Sequence, residues 1–202
     1  MKVIGIAGNA TCGKDTYFAL AKKIIEEHYD GKVEVRRIAF ADFLKSMCFD
    51  FCLEVFNINV LNPTKEQKEL IRPFLVTVGE TLRKKTKGQY FINKARGFID
   101  FLEEGRDPSK EIIYFITDVR FATEKKDELQ FIKDELGGQL VFIERTNEFG
   151  ELVPPANQLE LDNNAILYQN ADDKLRWETV GKDNLDSLSG VVKKSLKSLN
   201  IL

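Results

Sequence analysis

The stretch KVIGIAGNATCGKDT, Lys2 to Thr16, constrains this chain more than any other. An apolar run from Val3 to Ala7 stops at Gly8. Gly13, Lys14 and Thr16 follow, and an apolar-periodic segment from Tyr17 to Ile25 begins at once. That order predicts a buried strand, a tight loop and an amphipathic helix. Gly8 and Gly13 bracket four residues ahead of Lys14, the G-x-x-x-x-G-K spacing of a phosphate-binding loop. The residue types suit an anion. Glycines permit positive φ and close approach, successive N–H groups point the same way, and the helix amino end adds about half a positive charge. Lys14 adds a mobile full charge. The expected phosphate contacts are Gly8, Asn9, Ala10, Thr11, Cys12, Gly13, Lys14, Asp15 and Thr16.

The residue after such a lysine is usually Ser or Thr, whose hydroxyl binds Mg²⁺. Here it is Asp15, and the hydroxyl comes one place later at Thr16. The order G-K-x-T resembles nucleoside monophosphate kinases more than GTPases or large ATPases, which makes Thr16 the expected metal ligand. A full negative charge beside a triphosphate repels it unless a metal or an arginine lies between them. Asp15 is therefore expected to aim toward the acceptor side, or toward a basic partner such as Arg120.

Further along, Asp30-Gly31 marks a turn and Val33 to Phe40 alternates as a second strand. Asp42 reads as the N-cap of a helix with Phe43, Leu44, Met47, Cys48, Phe51 and Val55 as its apolar stripe. Thr64 caps the next helix, which Pro73 is expected to kink or break, and the basic run Arg83-Lys84-Lys85 closes its second piece. Gly88 to Leu102 is a further helix. Ile112 to Asp118 is a continuous apolar run ending in a carboxylate, the form of a fully buried parallel strand. Asp118 is read as facing the Mg²⁺ of the phosphate loop, with a plain helix cap as the alternative. A helix from Phe121 to Leu136 is stopped by Gly137-Gly138, and Gln139 to Glu144 makes a fourth strand with Arg145 just beyond its end. Thr146 to Asp173 is polar, contains Pro154-Pro155 and has little periodicity, so it is expected to be a mobile flap. Arg176 to Gly181 reads as a short final strand and Leu185 to Leu199 as a closing helix. Five buried strands alternating with helices predict an α/β fold, a five-stranded parallel sheet flanked by helices with right-handed crossovers, in one domain. Its helical region spans about 41–105.

Composition narrows the class. Of 202 residues, 43% are hydrophobic and 31% charged, with a net charge of -2, which argues against a disordered chain and against a generic nucleic-acid surface. No apolar run approaches the roughly 20 residues that span a bilayer, so a cytoplasmic location is expected, the host cytoplasm if the protein is viral. Cys12, Cys48 and Cys52 make no disulfide framework. Cys48 and Cys52, four apart, read as buried core rather than as half a zinc site. The single histidine, His28, falls at the end of the first helix, which argues against His-based catalysis.

These segments together resemble the deoxynucleoside monophosphate kinases of bacteriophages. GNATCGKDT is similar to their G-x-x-x-S-G-K-D-T loop, TDVRFATE to their D-x-R-F-x-x-E segment, and ELGGQLVFIER to the following G-G-x-x-V-x-x-x-R strand. GKDNLDSLSGVVKKSL resembles their final loop and helix in relaxed form. Two places depart from the pattern. Val76 stands where a Leu-Gln-x-x-Gly segment has its Gln, and Asn157-Gln158-Leu159-Glu160 lacks the histidine of an S-x-H-x-x-E segment. The resemblance implies a P-loop NTPase fold of the nucleoside monophosphate kinase kind and ATP-dependent phosphorylation of deoxynucleoside monophosphates. ATP and Mg²⁺ are the implied cofactors, with Lys14, Asp118, Arg120 and Arg145 as the catalytic set and Thr16 and Asp118 at the metal. It further implies Lys182 and Asp183 on the nucleotide, and Asp15, Asp42, Lys45, Arg72, Arg83 and Arg120 on the monophosphate side. Nucleotides are the expected partners, with no nucleic acid and no membrane; a homodimer is left open. Another small-molecule kinase of the dephospho-coenzyme A or phosphomevalonate type is the alternative. A nucleotide-binding switch is a further one, against which stands the absence of an N-K-x-D segment.

Overall fold

Val3 to Gly8 are all buried, so the first strand must be covered on both faces. The computed structural model describes residues 1–178 and 187–202. In chain order the elements are β1 (Lys2–Gly8), α1 (Lys14–Tyr29), β2 (Val33–Ile38), α2 (Phe40–Met47), α3 (Phe49–Phe56), α4 (Lys65–Thr86), α5 (Gln89–Glu104) and β3 (Glu111–Val119). A helical turn α6 (Glu128–Gln130) then runs into a π turn, Phe131–Glu135. β4 (Gln139–Thr146), α7 (Gln158–Gln169), β5 (Asp173–Glu178) and α8 (Ser189–Ser198) complete the chain. Among the described residues the strands form one five-stranded sheet of order β2-β3-β1-β4-β5, parallel throughout.

The chain divides into two compact units, 1–38 with 105–202, and 39–104. In the first, Ile4, Ile6, Ile113, Phe115, Val141 and Ile143 present one sheet face to Tyr17, Leu20, Ala21 and Ile25 of α1 and to Val192 and Leu196 of α8. Each such side chain contributes about 1.5–3 kcal/mol by burial. On the opposite face Gly5 has no room for a side chain, because a Cβ there would lie 2.7 Å from Ile132 and 3.0 Å from Leu140. The π turn and α7 cover β1 on that side.

The 39–104 unit is helical, with a core of Cys48, Cys52, Ile58, Val60 and Ile71. Phe74 stacks on Phe51 at 5.1 Å and meets Phe56 edge-on at 5.9 Å. Four expectations are corrected here. The helix read from Asp42 to Val55 is two helices, broken at Cys48, and its N-cap is Ala39, with Asp42 inside the first turn. Met47, Phe51 and Val55 of the expected stripe are exposed. Pro73 does not break α4, which is continuous over 22 residues; its N-terminus is secured by a capping box between Thr64 and Gln67.

Of the helix expected over 121–136 only 128–135 is helical, as the short α6 and the π turn. The Glu128 carboxylate accepts from the amides of Arg120 (2.7 Å) and Phe121 (3.1 Å), and Asp127 caps the short α6. These side-chain bonds tie 120–121 back onto the start of α6 as a loop. Residues 146–173 contain the 12-residue α7, in which only Asn163 and Leu167 are buried, too few to give the sequence a period. Arg145 lies within β4 rather than beyond it. β5 starts at Asp173, and the expected end of that strand and start of the last helix fall at 179–186, outside the described residues.

Candidate active site

The strand register sets Ala7 level with Val119 and Gly8 level with Ile143. The carboxyl ends of β1, β3 and β4 therefore share one edge of the sheet. The chain leaves β1 toward β2 and leaves β3 toward β4, in opposite directions across the sheet. Ligands of open parallel sheets bind at such an edge. The edge carries the 8–16 loop, Asp118, Arg120 and Arg145.

The loop is tightly determined. Gly8 has φ 135°, and a Cβ on it would stand 2.2 Å from the Ile143 carbonyl oxygen. Gly13 has φ 101°, with a Cβ position 2.8 Å from the Trp177 ring, and the indole Nε1 donates to the Cys12 carbonyl at 2.9 Å. Thr11 sits at φ 61°, a left-handed conformation that costs a residue with a side chain about 1–2 kcal/mol. The Cys12 amide closes the turn on the Asn9 carbonyl at 3.2 Å. Lys14 Nζ donates to the carbonyls of Gly8 (2.7 Å) and Asn9 (2.9 Å) and, more weakly, to Cys12 Sγ (3.8 Å), which uses all three of its donors and braces the ammonium across the loop. Burial raises the pKa of the Cys12 thiol despite the nearby Lys14 charge, so the thiol stays protonated at neutral pH.

Helix α1 starts behind the loop with no side-chain cap, and Tyr17 is its first residue whose amide finds a backbone acceptor, Gly13 at 2.9 Å. Of the opening amides, that of Lys14 faces the Cys12 sulfur, and those of Asp15 and Thr16 precede the first intrahelical acceptor. Arg145 comes within 3.4 Å of Thr11 Oγ1 through Nη2, while its Nε is buried with no partner. A buried donor without an acceptor costs about 1–3 kcal/mol, a cost that an anion at this edge would remove.

Other expected residues are placed as follows. Thr16 and Asp118 are half-buried at the edge, and Arg120 is exposed beside it. Asp15 meets a basic partner, Arg37 of β2 rather than Arg120, at 3.9 Å, with its side chain 89% exposed. Asp42, Lys45, Arg72 and Arg83 all belong to the 39–104 unit, where Lys45 meets Asp42 at 3.4 Å and Arg72 meets Glu69 at 2.7 Å. Lys182 and Asp183 lie outside the described residues.

The sequence reading missed Trp177, Glu160 and Asn164 as parts of the loop. Glu160 donates nothing but accepts from the Ala10 amide at 2.8 Å, and Asn164 Nδ2 donates to Asn9 Oδ1 at 2.5 Å. Only Asn157-x-x-Glu160, a helix-start spacing, signalled a helix here. Among the described residues no group of three or more His, Cys, Asp or Glu could hold a metal. Mg²⁺ asks for less: it keeps several waters and takes one or two protein oxygens together with phosphate oxygens. The Thr16 hydroxyl and the Asp118 carboxylate are hard oxygen donors of that kind.

No family model matches the chain, and no curated protein sequence does. Among solved structures, that of TT1252 from Thermus thermophilus is similar at a TM-score of 0.40 and 16% identity, over 96% of this chain and 97% of that one. At that score the likeness adds nothing to the reading of the site. Among the described residues no helix is long and apolar enough to cross a membrane.

Proposed function

We propose that the protein transfers the terminal phosphoryl group of ATP to a deoxynucleoside monophosphate. The observation that carries this reading is the uncapped amino end of α1 behind a lysine already braced on the carbonyls of its own loop. To receive a polyphosphate the ammonium has only to give up its weak contact with the Cys12 sulfur. An oxygen of the acceptor phosphate attacks the terminal phosphorus, the bond to the bridging oxygen breaks, and ADP leaves. Little of this is covalent work for protein; alignment and positive charge dominate.

In this reading the loop amides and Lys14, once it exchanges its weak bond to the Cys12 sulfur for a phosphate oxygen, hold the donor polyphosphate. Arg145 brings its unpartnered Nε to the same edge, and Arg120 offers a planar fork that can hold two phosphoryl oxygens at once. Thr16 and Asp118 would hold Mg²⁺, which when bound neutralises charge on the phosphate oxygens. The test is ADP release measured against each ribo- and deoxyribonucleoside monophosphate. Turnover with one or more of them, abolished in Lys14→Ala without loss of fold, is the expected result. ADP release with none of them by a protein that binds ATP would overturn the assignment.

A further inference from the structure

The Asn9–Ala10 peptide of the loop is held from both edges. Its carbonyl accepts from Lys14 Nζ at 2.9 Å and from the Cys12 amide at 3.2 Å. Its N–H, on the opposite edge of a planar trans peptide, donates to Glu160 Oε1 at 2.8 Å. Glu160 is the third residue of α7 after the N-cap Asn157, the place from which a glutamate ordinarily reaches back to the amide of the cap. It does not do so here. Oε2 accepts from the Ala156 amide at 2.6 Å, one residue earlier, and Oε1 goes to the loop. Asn9 is fastened to the same segment, its Nδ2 donating to the Val153 carbonyl at 2.6 Å and its Oδ1 accepting from Asn164.

We propose that Glu160 is a positioning residue for Lys14, acting through the plane of the Asn9–Ala10 peptide. The inference rests on the reading of the loop as a phosphate site. While Glu160 holds the Ala10 N–H, the Asn9 carbonyl stays turned toward the ammonium. With the carboxylate gone the peptide can rotate, and Lys14 loses one of its two carbonyl braces. A glutamine puts its oxygen at only one of the two positions that Oε1 and Oε2 occupy and an NH₂ at the other, so it cannot keep both bonds as they stand.

The probes are inorganic tripolyphosphate and Mg·ATP, bound calorimetrically to the full chain carrying Glu160→Ala, Glu160→Gln or Asn157→Ala. The last removes the cap of α7 and leaves the loop peptide alone, so a purely structural role for this helix start predicts that it behaves like Glu160→Ala. Positioning predicts at least tenfold weaker binding for Glu160→Ala, an intermediate loss for Glu160→Gln, and wild-type affinity for Asn157→Ala. Unchanged or tighter binding in Glu160→Ala would overturn the inference, as would equal losses in Glu160→Ala and Asn157→Ala. If Glu160→Ala does not fold, Glu160→Gln decides by the same criterion. A wild-type chain that binds neither probe would overturn the loop reading itself, and this inference with it, before any variant is compared.

Discussion

Gly13→Ala puts a methyl group where the structure has a tryptophan. The Cβ would stand 2.8 Å from Trp177 Cζ2 and 3.2 Å from both Cε2 and Nε1, on a backbone at φ 101°. Two costs combine. The conformation costs a residue with a Cβ about 1–2 kcal/mol. The contact must be relieved by moving the indole, an overpacking cost of about 1–3 kcal/mol. The sum, about 2–5 kcal/mol, is a sizeable part of a total stability of about 5–15 kcal/mol. The nearest of these atoms, Cζ2, lies on the outer ring of the indole, which phenylalanine lacks. In a Trp177→Phe background the second cost should therefore vanish while the first remains, giving a coupling of about 1–3 kcal/mol between the two substitutions. Urea denaturation of the four proteins followed by far-ultraviolet circular dichroism measures it. Additive effects would refute the argument that the indole sets the clearance at Gly13. In Gly13→Ala alone the emission of Trp177, the single tryptophan, should also shift to the red as its bond to the Cys12 carbonyl is lost.

Asp118→Asn should lower kcat by well over tenfold, which corresponds to more than about 1.4 kcal/mol, with the fold intact; a smaller loss in steady-state assays would leave Asp118 a strand-end residue without a metal role. Thr16→Val should weaken activity in a way that added Mg²⁺ partly restores, whereas Asp15→Gly, which removes the carboxylate beside Arg37, should change the kinetics of the acceptor; Mg²⁺ titrations of both variants check it, and rescue of Asp15→Gly instead would exchange the two roles. Burial holds the Cys12 thiol and the Tyr17 hydroxyl above their ordinary values, so the folded state keeps protons that the unfolded chain releases. Stability is then full below the ordinary thiol value of about 8.5 and falls as pH rises through it, by up to about 1.4 kcal/mol per pH unit for each group. Urea midpoints should show this fall, and Cys12→Ala should remove the thiol's share of it; coincident slopes for the two proteins would count against a buried thiol.

What could be read from the sequence was local. Val3 to Thr16 carries strand, loop and helix in one window, and the buried strands announce themselves because a strand covered on both faces is apolar throughout. The readings that failed depended on partners far along the chain. Residues 121–127 form a loop whose amides at Phe121, Ala122 and Glu124 go to the side chains of Glu128, Asn163 and Asp127. α7 buries so little that no period marks it, and what it touches, Asn9 and Ala10, lies about 150 residues away. The Phe51 and Val55 positions looked like a core stripe because helical spacing alone does not reveal the break at Cys48. Trp177 and the loop are joined by β4–β5 pairing, which no single window contains.

Strands β2 and β3 are neighbours in register from Val33 with Glu111 to Ile38 with Ile116, yet the chain between them holds the whole 39–104 unit. Zipping these two strands means closing that long loop, at an entropic cost that grows with the logarithm of its length, about 0.6 kcal/mol per doubling. A segment already collapsed around Cys52, Ile58 and Ile71 spans less than its contour, so early folding of the helices shortens the loop to be closed. Helices joined by local contacts form faster than distant parallel strands. A destabilised helical unit would therefore slow assembly of the sheet that carries the phosphate loop, although it contributes no strand to that sheet.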